Sequence, residues 1–212
     1  MWDYLLNRYY QKRGQKLLTK GHPLKAEKLF RKALMRDNSA ENKFNLSLAL
    51  MSSYQYEKAA KFLEKVYEDF PENMLNILSL AECYLLLGNW NEAIELYQRL
   101  LQQQPDNKTF KKYLEIAEDA VAREKYVKSK KLLNSAILDL DDKKDKSALK
   151  KLLEAEKYYP DNPTIIFNIG SVYTLLKEYE NAYKYLEKAI SLAPHNKKFH
   201  KNFNFVKRKI RK

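Results

Sequence analysis

One pattern of small and large apolar residues recurs along this chain at a spacing of 34. Ala59, Leu63, Val66 and Pro71 reappear as Ala93, Tyr97, Leu100 and Pro105. The quartet returns as Ala148, Leu152, Ala155 and Pro160, and once more as Ala182, Leu186, Ala189 and Pro194. A partial copy, Ala26, Phe30 and Ala33, opens the chain, with Asn38 where the proline would fall. A fixed period of this length specifies a stack of like supersecondary units, each touching its neighbours, and not one closed core. Such stacks hold things; they rarely do chemistry.

Each unit reads as two amphipathic helices. Ile77, Leu80, Ala81 and Tyr84 fall at i, i+3, i+4 and i+7, one face of a helix. Gly88 then supplies a residue that tolerates positive φ where that helix stops. Ala93, Leu96, Tyr97 and Leu100 form the face of a second helix, which Pro105 ends. The small residues are required where two helices cross, because a larger side chain would wedge them apart. Ile169, Gly170, Tyr173, Ala182, Leu186, Ala189 and Pro194 repeat the arrangement, and Pro163 after Asn162 makes an N-cap followed by a first helical turn.

These residues resemble the tetratricopeptide repeat (TPR) family. Its unit carries a small residue at the eighth place, a large one at the eleventh, Ala at the twentieth and Pro at the thirty-second. Gly14, Ser47, Ala81, Ala136 and Gly170 match the eighth place, and Leu17, Leu50, Tyr84 and Tyr173 the eleventh. Asp139 departs from it, which implies that the first helix of the fourth unit is displaced by one residue. The resemblance implies an all-α helical-repeat solenoid of about five TPR helix pairs, with an extra helix between the third and fourth units and a C-terminal capping helix. An N-terminal block, 1–107, holds units 7–39, 40–73 and 74–107. A linking or capping helix spans 108–128, and a C-terminal block holds units 129–162 and 163–196. A basic cap, 197–212, follows.

In the linking segment Phe110, Tyr113, Leu114, Ala117 and Val121 keep a helical stripe. Two readings stay open there: a cap with a bend near Arg123, or one helix running on to about Leu140. In the last segment Phe199, Phe203, Val206 and Ile210 would cover the exposed face of the final repeat, as solenoids require for solubility.

Charge is concentrated at the ends. Residues 1–39 carry ten Lys/Arg against three Asp/Glu, a net of +7, and residues 197–212 carry eight Lys/Arg and no acid. Residues 40–107, with five basic and ten acidic side chains, have a net of −5. The basic ends Arg8, Lys12, Lys16 and Lys207, Arg208, Lys209, Arg211 read foremost as a solvated surface. The alternative is a scaffold that meets nucleic acid or an anionic membrane through them. Lysines outnumber arginines, against the bidentate fork that base and phosphate recognition favours. In the first helix Trp2, Leu5, Leu6 and Tyr9 form an apolar stripe with Arg8, Lys12 and Lys16 nearby. It is expected to pack on the first repeat, the alternative being an amphipathic basic helix that lies on a membrane.

Cys83 is the single cysteine, so no internal disulfide framework exists, and its place on an apolar helix face predicts an inert core thiol. No segment approaches the roughly 18 apolar residues of a membrane span. The chain reads as a soluble cytoplasmic protein. It carries no phosphate loop, nucleophile elbow or paired histidines at ligand spacing, so no catalytic, metal or cofactor site is expected. The acidic run Asp139, Asp141, Asp142, Asp145 lacks the glycine and glutamate of a calcium loop.

By the family resemblance, a concave groove is lined by the second, fifth, sixth, ninth and twelfth places of each first helix. In the second unit these are Glu41, Phe44, Asn45, Leu48 and Met51, and in the third Leu75, Leu78, Ser79, Glu82 and Leu85. The helix from Met74 to Leu87 is apolar nearly all round, and contiguous exposed apolar surface marks an interaction site. Asparagine recurs at the sixth place as Asn45, Asn134, Asn168 and Asn202, where a side-chain amide can pair with a peptide backbone. The clamp that chaperone-binding members use would fall on Gln11, Gln15, Asn45, Leu75 and Ser79, where every cationic group is missing. The expected function is a non-enzymatic protein-interaction scaffold or chaperone-like adaptor that holds an apolar peptide or helix of a partner protein. Self-association through the same groove is the other alternative.

Overall fold

The computed structural model describes residues 2–210, and among them every regular element is α-helical. In chain order these are α1 (Trp2–Thr19), α2 (Pro23–Arg36), α3 (Ala40–Ser52), α4 (Tyr56–Asp69), α5 (Met74–Leu87) and α6 (Trp90–Gln103). Then come α7 (Lys108–Glu118), α8 (Ala120–Asp141), α9 (Asp145–Tyr158), α10 (Pro163–Leu175), α11 (Tyr179–Leu192) and α12 (Lys197–Ile210). The chain divides into two compact bodies, Met1–Arg123 and Glu124–Lys212.

The helix ends follow local chemistry. Asn162 accepts hydrogen bonds from the backbone N–H groups of Thr164 and Ile165 at 3.0 and 3.1 Å, and Pro163 occupies the first turn of α10. Asn107 caps α7 in the same way, and Asn73 accepts from the Asn76 N–H at 3.1 Å at the start of α5. The turn inside each unit is equally regular. The fifteenth place has positive φ five times over: Gly21 (80°), Tyr54 (63°), Gly88 (93°), Lys143 (59°) and Lys177 (64°). Only two of these are glycine, so the repeat geometry imposes the left-handed turn even where a Cβ opposes it.

In the first body each helix folds back on its predecessor, and α5 packs directly on α3, α4 and α6. Ala59, Leu63, Ile77, Ala81, Ala93, Tyr97 and Leu100, all fully buried, run through its centre. Helix α7 closes this body by packing on α6, where the ring of Tyr113 stacks on Tyr97 at 5.7 Å. The helix then breaks at Asp119, whose backbone is extended at φ −84° and ψ 117°. The break therefore comes four residues before Arg123, and α8 is a separate helix that runs through to Asp141. Arg123 instead donates to the Ala117 carbonyl at 3.2 Å and lies over the Trp90 ring.

The second body holds two apolar clusters, each made by one helix pair and the helix that follows. Leu133, Ala136, Ala148, Leu152 and Ala155 pack with Ile165, Ile169 and Val172. Ile166, Phe167, Ala182, Leu186 and Ala189 pack with Phe199 and Val206. The capping helix α12 thus contributes two fully interior side chains, with the Phe199 ring stacked on Phe167 at 4.3 Å. Ile210, expected in the same role, is exposed. Asp139 does not displace α8. Ala136 keeps its buried place, and the carboxylate accepts from Lys151 Nζ and Ser147 Oγ, both at 2.6 Å. Those hydrogen bonds hold its pKa below the usual carboxylate range.

Two glycines show how close the crossings are. A Cβ on Gly14 would lie 2.5 Å from the Phe30 ring, and one on Gly170 would lie 2.8 Å from Leu186 Cγ and 3.1 Å from its backbone nitrogen. Gly170→Ala gains about 1 kcal/mol of helix propensity but overpacks a crossing that typically costs 1–3 kcal/mol. Because backbone as well as side chain blocks the methyl, a net loss of about 1 kcal/mol is expected in denaturant unfolding. Lys177→Gly, which relieves an exposed left-handed residue, should instead stabilise the chain by about 0.5–1 kcal/mol in the same measurement.

Candidate functional site

The groove candidates separate sharply on folding. On α3, Phe44, Leu48 and Met51 share one stripe and are half-buried, with Glu41 exposed at its N-terminal edge. On α5, Leu75 stands 66% exposed, and Leu78, Ser79 and Glu82 are half-buried on the same side. The Ser79 hydroxyl donates to the Leu75 carbonyl at 2.8 Å and so faces its own helix. Helices α3 and α5 touch, which makes their outer stripes neighbours.

Leu85 does not belong to this surface. It is wholly buried, as are Ile77, Ala81 and Cys83, because α5 lies among three helices that account for most of its apolar circumference. Asn45 is likewise no free groove group. It is 6% exposed, and its Oδ1 accepts from Gln15 Nε2 at 3.5 Å while its Nδ2 has no partner among the described residues.

That contact is one rung of a buried polar seam between α1 and α3. Gln11 Nε2 donates to Asn42 Oδ1 at 2.9 Å, and Asn42 Nδ2 donates to Asn7 Oδ1 at 3.1 Å and to the Asp37 carbonyl at 2.7 Å. Asn7 Nδ2 in turn donates to Asp37 Oδ2 at 3.2 Å. One repeat on from Asn42, Asn76 Nδ2 donates to the Leu63 carbonyl at 3.0 Å. The recurrence of Asn42 and Asn76 at a spacing of 34 is the sequence signal for these interior amides.

The remaining sixth-place asparagines lie in the second body. Asn202 Nδ2 donates to Ser171 Oγ at 3.3 Å, which repeats the register of Asn45 and Gln15: a sixth-place amide bonded to the ninth-place side chain of the preceding unit. Asn134 is half-buried. For Asn168, also half-buried, the corresponding partner place holds Ile137, which offers no hydrogen-bonding group. The row of asparagines is therefore partly a set of ties between helices.

The basic residues also divide between the bodies. Arg8, Lys12 and Lys16 are exposed on α1. Lys207 lies over the Phe203 ring and Lys209 over Phe205, while Arg208 Nε donates to the Asn204 carbonyl at 3.2 Å. Arg211 lies outside the described residues. The apolar stripe of α1 turns away from the first repeat, contrary to expectation: Trp2 is 80% exposed, Leu5 and Tyr9 about half, and only Leu6 is partly covered. The reason is rotational. Asn7, Gln11 and Gly14 are the buried residues of α1, and at 100° per residue they centre about 180° from Trp2, Leu5 and Tyr9.

A stack of helix hairpins in which each first helix packs on the next defines a solenoid whose free helix faces are its working surface. Sequence models of the tetratricopeptide repeat match residues 50–114 and 164–196. A TPR repeat-containing protein of Methanocaldococcus jannaschii is 29% identical over 195 residues, 89% of this chain and 32% of its own length. The chain thus spans about a third of the length of that curated relative. Among solved structures, MamA from Desulfovibrio magneticus superposes with a TM-score of 0.51 at 14% identity, over 91% of this chain and 97% of that one. Cut9, from the Cut9–Hcn1 assembly of the APC/C, gives 0.50 at 13% identity, over 96% of this chain and 45% of that one. At these identities the two structures speak for the fold alone. The chain carries tetratricopeptide repeats over residues 50–114 and 164–196, the repeat of a family whose members are in general non-catalytic scaffolds for protein interaction.

No helix among the described residues is long and apolar enough to cross a membrane, and no three His, Cys, Asp or Glu side chains among them converge as metal ligands would. Cys83 is fully buried, and burial, with Glu82, Glu57 and Glu64 nearby, pushes its thiol up to about 12. The thiolate is the reactive form, so at pH 8 a maleimide should leave the native chain unmodified and label it only after denaturation. Rapid labelling of the native chain would show that α5 opens.

Proposed function

We propose that this chain is a scaffold or chaperone-like adaptor that holds an apolar segment of a partner protein along the first helices of its second and third units. The observation that supports it most directly is Leu75. On α5 it is left largely in water although its neighbours Ile77, Leu80 and Ala81 are interior. With Leu78 beside it, and Phe44, Leu48 and Met51 half-buried on α3, it offers a strip of apolar surface on two adjoining helices. Burying a leucine side chain is worth about 1.5–3 kcal/mol, so covering Leu75 and Leu78 alone supports binding of useful strength.

Glu41 and Glu82 border the strip, and the segment 40–107 is net acidic. An acidic chaperone tail is therefore disfavoured, while an extended or helical segment of apolar side chains, neutral or mildly basic, fits. Asn45, 6% exposed and engaged with Gln15, is not the hydrogen-bonding group of this recognition. A lone interior thiol suits a reducing, cytoplasmic setting.

The test is fluorescence anisotropy with a panel of labelled apolar and acidic peptides, comparing the native chain with Leu75→Glu and Leu75→Glu/Leu78→Glu. Apolar peptides should bind the native chain, and the double variant should weaken them by about 1.5–3 kcal/mol per leucine, at least tenfold. High salt should change little, and the unfolding midpoint of the Leu75→Glu variant should stay within a degree or two of the native one. Unchanged affinity in a folded double variant would remove the groove from the function.

A further inference from the structure

The third, seventh and tenth places of a first helix show which way it faces the preceding unit. In the second unit they are Asn42, Leu46 and Ala49, in the third Asn76, Leu80 and Cys83, and in the fifth Ile165, Ile169 and Val172, all of them buried. In the first unit the same places are Tyr9, Arg13 and Lys16, all exposed. This face carries Tyr9 and two cations where the second, third and fifth units carry asparagine or apolar side chains; the fourth unit, which opens the second body, has Lys131, Ser135 and Leu138 there.

The face continues along α1 in both directions. Towards the N-terminus lie Trp2 and Leu5, in register with Tyr9. Towards the C-terminus, Lys12, Lys16 and Lys20 join Arg13 around a shallow depression floored by Tyr9 and Leu17. Tyr4, largely exposed, flanks it with Arg8, whose guanidinium lies 5.8 Å from the Tyr4 ring centre. Arg13 is held over Tyr9 at 5.6 Å and donates to its hydroxyl. The one acid of the helix, Asp3, pairs with Arg36 at 3.8 Å. One exposed helix surface thus joins Trp, Leu and Tyr over its first half to four uncompensated cations over its second.

We propose that the outer face of α1 docks on an anionic lipid bilayer, lying in the plane of the interface. Trp and Tyr prefer the headgroup level, Leu5 reaches the acyl boundary beneath it, and Lys12, Arg13, Lys16 and Lys20 meet the anionic headgroups. Charge decides against the competing occupants. A second copy stacked end to end would bring its C-terminal segment, eight cations and no acid, against residues 1–39 of net +7. A nucleic acid would satisfy the cations but leave Leu5 and much of Trp2 in water. The docking is peripheral and reversible, since one helix supplies it, and it is independent of the groove on α3 and α5.

The test is co-sedimentation of the full chain with phosphatidylcholine vesicles, with and without phosphatidylserine, in low and high salt. A single-stranded RNA and a duplex DNA oligonucleotide serve as parallel ligands. The variants are Trp2→Ser/Leu5→Ser/Tyr9→Ser, Lys12→Glu/Lys16→Glu and, at the far end, Lys207→Glu/Lys209→Glu. Binding should require phosphatidylserine and weaken in high salt. The triple variant should lose it, and the Lys12/Lys16 variant should lose about thirtyfold or more, given the contribution of each cation near such a surface. The far-end variant should bind as the native chain does. All substituted α1 residues are exposed, so unchanged thermal unfolding separates lost binding from lost fold. Retained vesicle binding in the triple variant, loss only in the far-end variant, equal binding to neutral vesicles, or oligonucleotide binding without vesicle binding would each overturn the proposal.

Discussion

Within each unit the two helices can pack only as closely as the eighth-place residue allows, and the rest of the architecture follows from that distance. Phe30 lies 2.5 Å from where a Cβ on Gly14 would be, and Leu186 2.8 Å from where one on Gly170 would be. Ser47 and Ala81, also buried, occupy the same place in the second and third units, with Leu63 and Tyr97 as their large counterparts. The large residue thus fills the space that the small one leaves, at the packing density of a protein interior. Once that crossing is set, the connection must reverse within a few residues. This accounts for the left-handed fifteenth place even where it holds Tyr54, Lys143 or Lys177.

What joins one unit to the next differs between the bodies. In the second body the joint is mainly apolar, with one amide tie from Asn202 to Ser171: Ile165, Ile169 and Val172 complete the cluster of the preceding pair, and Phe199 with Val206 completes the next. In the first body the joint between α1 and α3 is a chain of amides, Gln11 to Asn42 to Asn7, closed on Asp37. Apolar contacts tolerate sliding, whereas buried amides must keep their partners or lose the whole cost of desolvation. The seam therefore fixes the rotation of α1, and with it the face that α1 turns outward. Electrostatics finish the division of labour, with an acidic middle that carries the apolar strip and basic residues at the ends.

Much of this was legible in the residues themselves. The period placed the helices, Gly88 and Pro163 marked where they stop and start, and the eighth-place glycines marked the inward faces. The departures share one cause. A periodic stripe tells which side chains lie together on a helix but not whether a neighbour covers them. Trp2, Leu5 and Tyr9 form as good a stripe as any in the chain and face water, while Leu85, on an equally apolar helix, is wholly interior. The register of Gly14 already implied the first outcome, since residues half a turn from it cannot also face Phe30. Asp139 misled in another way: the mismatch it makes with the family pattern is resolved by an ion pair with Lys151 and not by a shift of α8.

By itself the sequence determined the repeat length, the helix pairs, their caps and turns, and the family, because these depend on local spacing and on the volume of single side chains. Only the tertiary structure decided which apolar faces stay open. Exposure depends on how many helices surround a given one, a property of the assembled stack. Helix α5 touches α3, α4 and α6 and keeps one stripe, led by Leu75, open to water, while α1 has no unit before it among the described residues and shows water a full aromatic and cationic face.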